Sequence, residues 1–227
     1  MFLKSKTIQP EQEKKEVKIV VFSGLEKSDF TYYVARIGAA ITKKVLVVDN
    51  SVSHSFYRII QKEDNEEDII QTQGFWLIKD IVYSEKFFEN FDVVLVFAGR
   101  NTDASYLDHA AAVIVSFSYG KIERNEIVAE CFQKEELKYP EEKTFVICRD
   151  KVCKKIHENI IIHEANIKPA AVFPVALDVS DEVKYEALQE NGSQSMKGLS
   201  DALAFAVAEV AMRTYHIDEK QYKKAIR

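Results

Sequence analysis

Cysteine is scarce in this chain: Cys131, Cys148 and Cys153 are the only three in 227 residues. That number is too small and too odd for a disulfide framework. Only four prolines and seven glycines occur, and no clear linker divides the middle. No stretch reaches the ~18 consecutive apolar residues of a membrane-spanning helix. The opening Met1 to Lys6 lacks the apolar region of a signal peptide. These absences predict a cytoplasmic protein with no transmembrane segment. Positive charge is also in deficit. A formal net charge of -5 gives no global pull toward nucleic acid or an anionic membrane. Only Lys220, Lys223, Lys224 and Arg227 lean the other way, against Asp218 and Glu219, and such cations suit the end of a helix.

What remains is ample for a core, since 47% of residues are hydrophobic and 30% charged. This is the balance of a globular domain, and the length suits one large α/β unit. Residues 1–16 read as a polar N-terminal tail, 17–216 as a single domain and 217–227 as a short charged C-terminal tail. Apolar runs predict strands at 17–23, 43–49, 75–78, 91–98, 111–117, 144–148, 159–163 and 170–176. Helical patterns are expected at 30–41, 53–61, 84–90 and 121–134, and in a final segment where Leu199, Leu203, Ala206, Val207 and Val210 share a face. Residues 62–68 form an acidic surface stretch. Strands apolar on both faces and alternating with helices predict a mostly parallel sheet covered on each side.

The most informative segment lies between the first strand and first helix. A phosphate-binding loop follows G-x-x-x-x-G-K-[ST], and the corresponding residues are Gly24, Leu25, Glu26, Lys27, Ser28, Asp29, Phe30 and Thr31. The first glycine and the last hydroxyl survive. Asp29 replaces the second glycine and Phe30 replaces the lysine. A carboxylate beside a polyanion is repelled by roughly 4 kcal/mol at ~4 Å and an effective dielectric of ~20. Lys27 is the only cation within the loop. The plainer alternative is an ordinary strand-to-helix turn in which Ser28 or Asp29 caps the helix.

Other candidate groups are weaker. Cys148, Cys153, His157 and His163 are of the residue types that bind zinc, but they lack a paired two-residue cysteine spacing, and both Cys148 and His163 read as strand residues. A core cysteine with surface histidines is the alternative. His109 and Cys131 fall on helical patterns, and nothing brings them together with a third group as a nucleophile, base and acid.

In this order the pieces resemble the ParA/MinD family of deviant P-loop ATPases. Ser23 to Thr31 align with the family's loop, and Tyr33 to Ile41 with its alanine-rich first helix. Lys43 to Asp49 resemble the K-K-V-L-L-I-D strand, whose acid serves water or magnesium, although the second acid of D-x-D falls on Ser51. Phe91 to Phe97 resemble Y-D-x-V-I-I-D with Phe97 in place of the magnesium-supporting acid. Cys148 takes the position nearest the adenine-reading asparagine, and Val172, Phe173, Pro174, Val183, Asn191 and Gly192 make a looser last match. Leu25 stands where the family's signature lysine crosses a dimer.

The resemblance implies a catalytically inactive member, a localisation or scaffolding component of partition, division, pilus, flagellar or secretion machinery. It would act without a cofactor through a protein partner or as a homodimer. Gly24, Lys27, Ser28, Asp29, Phe30, Thr31 and Asp49 are then vestigial nucleotide-binding positions. Leu25, Phe30 and Tyr32 either form a dimer interface or fill the empty pocket from within. Two alternatives stand beside this reading. One is a slow or non-hydrolysing ATP and magnesium switch using Lys27, Thr31 and Asp49; the other is a small-molecule α/β enzyme with a repurposed cleft. Asp49 also has a purely structural reading as a turn cap, and Thr31 one as a helix residue bonding its own turn.

Overall fold

A computed structural model describes residues 17–41, 43–60, 69–152 and 157–226. The predicted tail at 1–16, the acidic stretch at 62–68 and Cys153 lie outside the described residues.

The apolar runs pair into one eight-stranded sheet. In chain order its strands are β1 (Lys18–Gly24), β2 (Val45–Asp49), β3 (Ile69–Thr72), β4 (Phe75–Lys79), β5 (Val93–Gly99), β6 (Ala110–Ser118), β7 (Thr144–Lys151) and β8 (Ala171–Ala176). Their spatial order is β3-β4-β2-β5-β1-β6-β7-β8. Every pairing is parallel except β3 with β4. That exception is a hairpin closed by Gln73 and Gly74, both at positive φ, the backbone a two-residue turn requires.

Strand periodicity sorts side chains onto two cores. Val20, Phe22, Val47, Leu95, Ile114 and Ile147 face one side; Ile19, Val21, Val48, Val96, Val115 and Val146 face the other. The first face is covered by α1 (Asp29–Ala40), α2 (Ser55–Ile60), α7 (Val179–Asn191), α8 (Asp201–Tyr215) and α9 (Glu219–Ala225). The second is covered by α3 (Glu85–Phe88), α4 (Ala104–Asp108), α5 (Lys121–Ile127) with the wider turn at 128–132 that extends it, and α6 (Glu158–Ala165). Among the described residues no helix is long and apolar enough to cross a membrane.

Two expectations are corrected. The predicted strand at 159–163 is helix α6: only Ile161 and Ala165, four residues apart, are buried, and Asn166 ends the helix in a left-handed conformation. A short apolar run flanked by polar residues does not by itself distinguish strand from helix; the burial spacing here is helical. The predicted C-terminal tail is largely α9, where Asp218 and Gln221 form a capping box and Tyr222 enters the core.

Because β1 lies between β5 and β6, its C-terminal end is where connections diverge to opposite halves of the sheet. In open α/β sheets that is where ligand crevices form. The loop at 24–29 sits there.

Candidate functional site

The loop leaves β1 through Gly24, whose φ of 96° no side chain adopts easily; a Cβ there would lie 2.3 Å from the Ser116 carbonyl oxygen. The Leu25 N–H donates to that same oxygen at 2.9 Å, holding the loop against β6. Ser23 is buried beneath it, its hydroxyl bonded to Thr102 at 2.7 Å and Tyr139 at 2.9 Å. Ser28 occupies the cap position of α1 but makes no side-chain cap bond. Asp29 does that work instead, its Oδ1 accepting the Phe30 N–H at 2.8 Å.

Asp29 is held from across the sheet. Arg149 of β7, 120 residues away, donates through Nη1 to Oδ1 at 2.5 Å and through Nη2 to Oδ2 at 2.9 Å. Each side chain is 1% exposed. Burial works against the guanidinium charge, but the Asp29 carboxylate, with Asp150 and Glu182 behind it, outweighs this and holds Arg149 above its ordinary value. Such a pair is a charge-assisted fork, the strongest ordinary side-chain contact of its kind. The nearby Tyr33 hydroxyl is raised well above its usual range, by burial first and then by Asp29.

Lys27 is also engaged. Its Nζ bonds Glu182, lies 3.5 Å from Asp150 and sits 5.3 Å from the Tyr185 ring centroid. The loop's lysine therefore faces two carboxylates of this chain.

Phe30 and Tyr32 correct the dimer-interface expectation. They are 2% and 1% exposed, inside the protomer. Phe30 packs toward Phe22 with ring centroids 6.3 Å apart. The Tyr32 hydroxyl donates to Gln73 at 2.8 Å and accepts from the Gln194 N–H at 3.0 Å. Thr31 is buried too. Leu25 alone of that trio is part-exposed, lining a cleft of about 530 Å³ with Glu26, Lys27, Val52, Arg100 and Tyr185. Arg100 there is paired with Glu126 at 2.9 Å, and Glu123 and Glu130 lie within 4 Å.

The neighbouring strand ends carry no free acid. Asp49 is fully buried; one oxygen accepts the Ser51 N–H and hydroxyl at 3.0 and 2.7 Å, and the other accepts the Tyr57 N–H at 2.7 Å. Burial raises its carboxyl above the ordinary value, with those three bonds working the other way. It ties the end of β2 to the first turn of α2. Phe97 on β5 is buried against Phe56 at 6.0 Å between centroids. Above it Glu26 lies across Gly99, where an added Cβ would come within 2.5 Å of its Cγ, and accepts the Ser53 hydroxyl at 2.7 Å.

Cys148 is wholly buried on β7, and burial pushes its thiol up to about 12, while His157 and His163 are exposed. His109 stacks on Tyr83 with centroids 4.0 Å apart, and Cys131 is buried in the turn after α5.

Sequence reasoning missed Arg149, Asp150 and Glu182. One signal was present: an arginine directly after the apolar run 144–148, on a strand otherwise made for the core. Its partner was invisible without the tertiary arrangement.

No protein-family model matches the chain, and no curated protein matches it by sequence. Solved structures do match by shape. MinD cell division protein of Aquifex aeolicus is 13% identical with a TM-score of 0.60, covering 89% of this chain and 98% of that one. The same organism's MinC:MinD cell division protein complex matches at 12% identity and TM-score 0.60, over 89% and 97% of the two chains. A ParA family ATPase of Chlorobium tepidum is 14% identical with TM-score 0.58, over 86% and 98%. The chain has the ParA/MinD-like P-loop fold.

Proposed function

We propose that this protein is a non-catalytic ParA/MinD-fold component that localises or scaffolds a cellular assembly through protein contacts. The observation that carries the reading is the buried Asp29–Arg149 pair at the head of α1. In this fold, a triphosphate would need the helix N-terminus and a free cation. Here one first-turn N–H, that of Phe30, is taken by a carboxylate, Lys27 is held by Glu182, and Phe30 fills the lysine position with an apolar ring. Magnesium fares no better: Phe97 offers no oxygen, and both Asp49 oxygens already accept hydrogen bonds. The residues present do not fit magnesium and ATP.

Support for a contact role comes from the rim above the sheet. Val52, Val82, Ile122, Val152, Leu177 and Val179 are exposed apolar residues, and all follow the C-terminal ends of parallel strands. Of these, Val152, Leu177 and Val179 follow the adjacent strands β7 and β8, and exposed apolar side chains close together suit a protein interface. The MinD protein of similar shape is seen in complex with MinC, which makes a protein partner a reasonable expectation for this chain.

Thermal unfolding with and without magnesium-ATP tests the reading. A true site would add ~2.7 kcal/mol at 100 times its dissociation constant. The expected result is no shift and no phosphate release; a saturable shift with turnover would overturn the proposal. Replacing Val152 and Val179 with Asp should abolish partner capture or self-association while leaving the melting temperature near that of the native protein.

A further inference from the structure

We infer that the cleft between α1, the β3–β4 hairpin and the α7–α8 connection binds a small carboxylic acid with an apolar body, Arg36 taking its carboxylate. The inference stands apart from the scaffold reading and concerns a different part of the molecule from the phosphate loop.

Three observations carry it. The first is place and size. Gln73 and Gly74 turn the chain just before β4, and β4 runs parallel to β2. The hairpin therefore lies at the N-terminal edge of the parallel strands, opposite the loop at 24–29. There α1, the end of α2, residues 191–196 and the end of α9 enclose a cleft of about 700 Å³. Small-molecule sites span roughly 300–1,000 Å³.

The second is a rigid floor. Gln73 Nε2 donates to the Gly192 carbonyl at 2.7 Å, its Oε1 accepts the Tyr32 hydroxyl at 2.8 Å, and its backbone carbonyl accepts Arg36 Nη1 at 2.9 Å. One residue thus ties the hairpin to α1 and to the connection after α7. Gly192 is itself fixed, with φ at 67° and the Ile59 carbonyl oxygen 3.0 Å from where a Cβ would stand. A site framed in this way needs little ordering when a ligand arrives.

The third is the chemistry of the walls. Among the described residues that line the cleft, Arg36 is the one charged side chain. Its anchor on Gln73 uses one of three guanidinium nitrogens, and the five N–H groups of that fork match a carboxylate. Ile37, Ala40, Ile60, Met196 and Ile226 give the same cleft an apolar wall, Ile226 standing 39% exposed. One cation beside an apolar wall suits one anionic group on an apolar body.

Titrating the full-length, nitrogen-15-labelled protein with 2-naphthoate, and in parallel with neutral 2-naphthol, tests this near neutral pH. Saturable amide shifts are expected at Gln73, Gly192 and Gln194, with naphthol binding about tenfold more weakly, the fold-change of one charge-assisted hydrogen bond. Arg36→Met should weaken naphthoate by about tenfold and leave naphthol unchanged, a split that general loss of structure would not produce. Ala40→Trp, at an exposed helix position, should block both probes while the melting temperature stays near that of the native protein. No saturable shift at those amides up to millimolar probe, equal affinity for the two probes, or native-like binding by Arg36→Met would each overturn the inference.

The acidic stretch 62–68 follows Ile60 in the sequence, so a variant with Glu63, Asp64, Glu66, Glu67 and Asp68 changed to their amides is titrated as well. Naphthoate binding by both proteins supports the site. Binding by the variant alone would make one of the chain's own acids the occupant and overturn the inference. Either failure leaves the scaffold reading standing, since that reading falls only to magnesium-ATP binding with turnover.

Discussion

Asp29 at the first turn of α1 and Arg149 near the end of β7 form a bidentate ion pair with both side chains 1% exposed. It joins the loop after β1 to a strand two places away in the sheet. Removing one member leaves a buried charge unpaired, a change that costs about 3–5 kcal/mol. Arg149→Met should therefore lower the urea midpoint sharply with little change in slope. The double change D29L/R149M should cost clearly less than the two single changes combined, because no lone charge remains. Additive losses in a double-mutant cycle would show that the pair is not coupled.

A lysine placed at position 30 should not create nucleotide binding. Phe30 is 2% exposed and packs toward Phe22. Phe30→Lys would lose a core aromatic, at about 3–5 kcal/mol by analogy with truncation to alanine. It would also place an ammonium in an apolar site. A marked fall in melting temperature with no gain in ATP binding is expected; calorimetric titration of the variant checks it.

Acid sensitivity has a local contribution from Glu158. Burial acts to raise its carboxyl, but the Lys151 ammonium and the Tyr119 hydroxyl more than offset this and lower it from 4.5 to about 2. A carboxylate depressed in the folded state stabilises the protein above its unfolded value. That stabilisation is lost as pH falls from 4.5 toward 2. Glu158→Gln should flatten this part of the stability profile while also lowering stability at neutral pH. Unfolding curves at stepped pH would reveal an unchanged slope if the assignment is wrong.

The C-terminal helix α9 belongs to the domain. Tyr222 is 8% exposed within the core cluster that includes α1 and α8. Tyr222→Ala should destabilise the whole domain by about 2–4 kcal/mol, near the lower end for loss of a buried aromatic. A melt unaffected by the change would place α9 outside the cooperative unit.

The backbone at Gly24 tolerates no side chain. With φ at 96° and the Ser116 carbonyl 2.3 Å from a built Cβ, Gly24→Ala should cost about 1–3 kcal/mol in strain, with a further clash unless β6 shifts. Hydrogen exchange should then rise at Leu25, whose N–H bonds that carbonyl. Unchanged protection there would count against the contact.

Local pattern carried much of the architecture. Apolar runs such as 91–98 and 111–117 announced strands buried on both faces, and the loop between β1 and α1 could be placed residue by residue. Where local pattern was ambiguous the reading slipped. Three consecutive isoleucines at 160–162 looked like a strand until burial at Ile161 and Ala165 showed a helix. The hairpin at Gln73 and Gly74 went unread because β3 is only four residues long.

The sequence by itself determined that Phe30 and Asp29 stand where the phosphate-loop pattern has its lysine and second glycine, because those identities sit at fixed spacing along one short segment. It also determined the two-faced sheet, because strand periodicity is local. Only the tertiary structure decided what Asp29 does. Whether a carboxylate at a helix head repels a ligand, caps a turn or closes an ion pair depends on which cation faces it. Arg149 reaches it only when β7 and β1 are brought to the same edge of the sheet, from 120 residues apart.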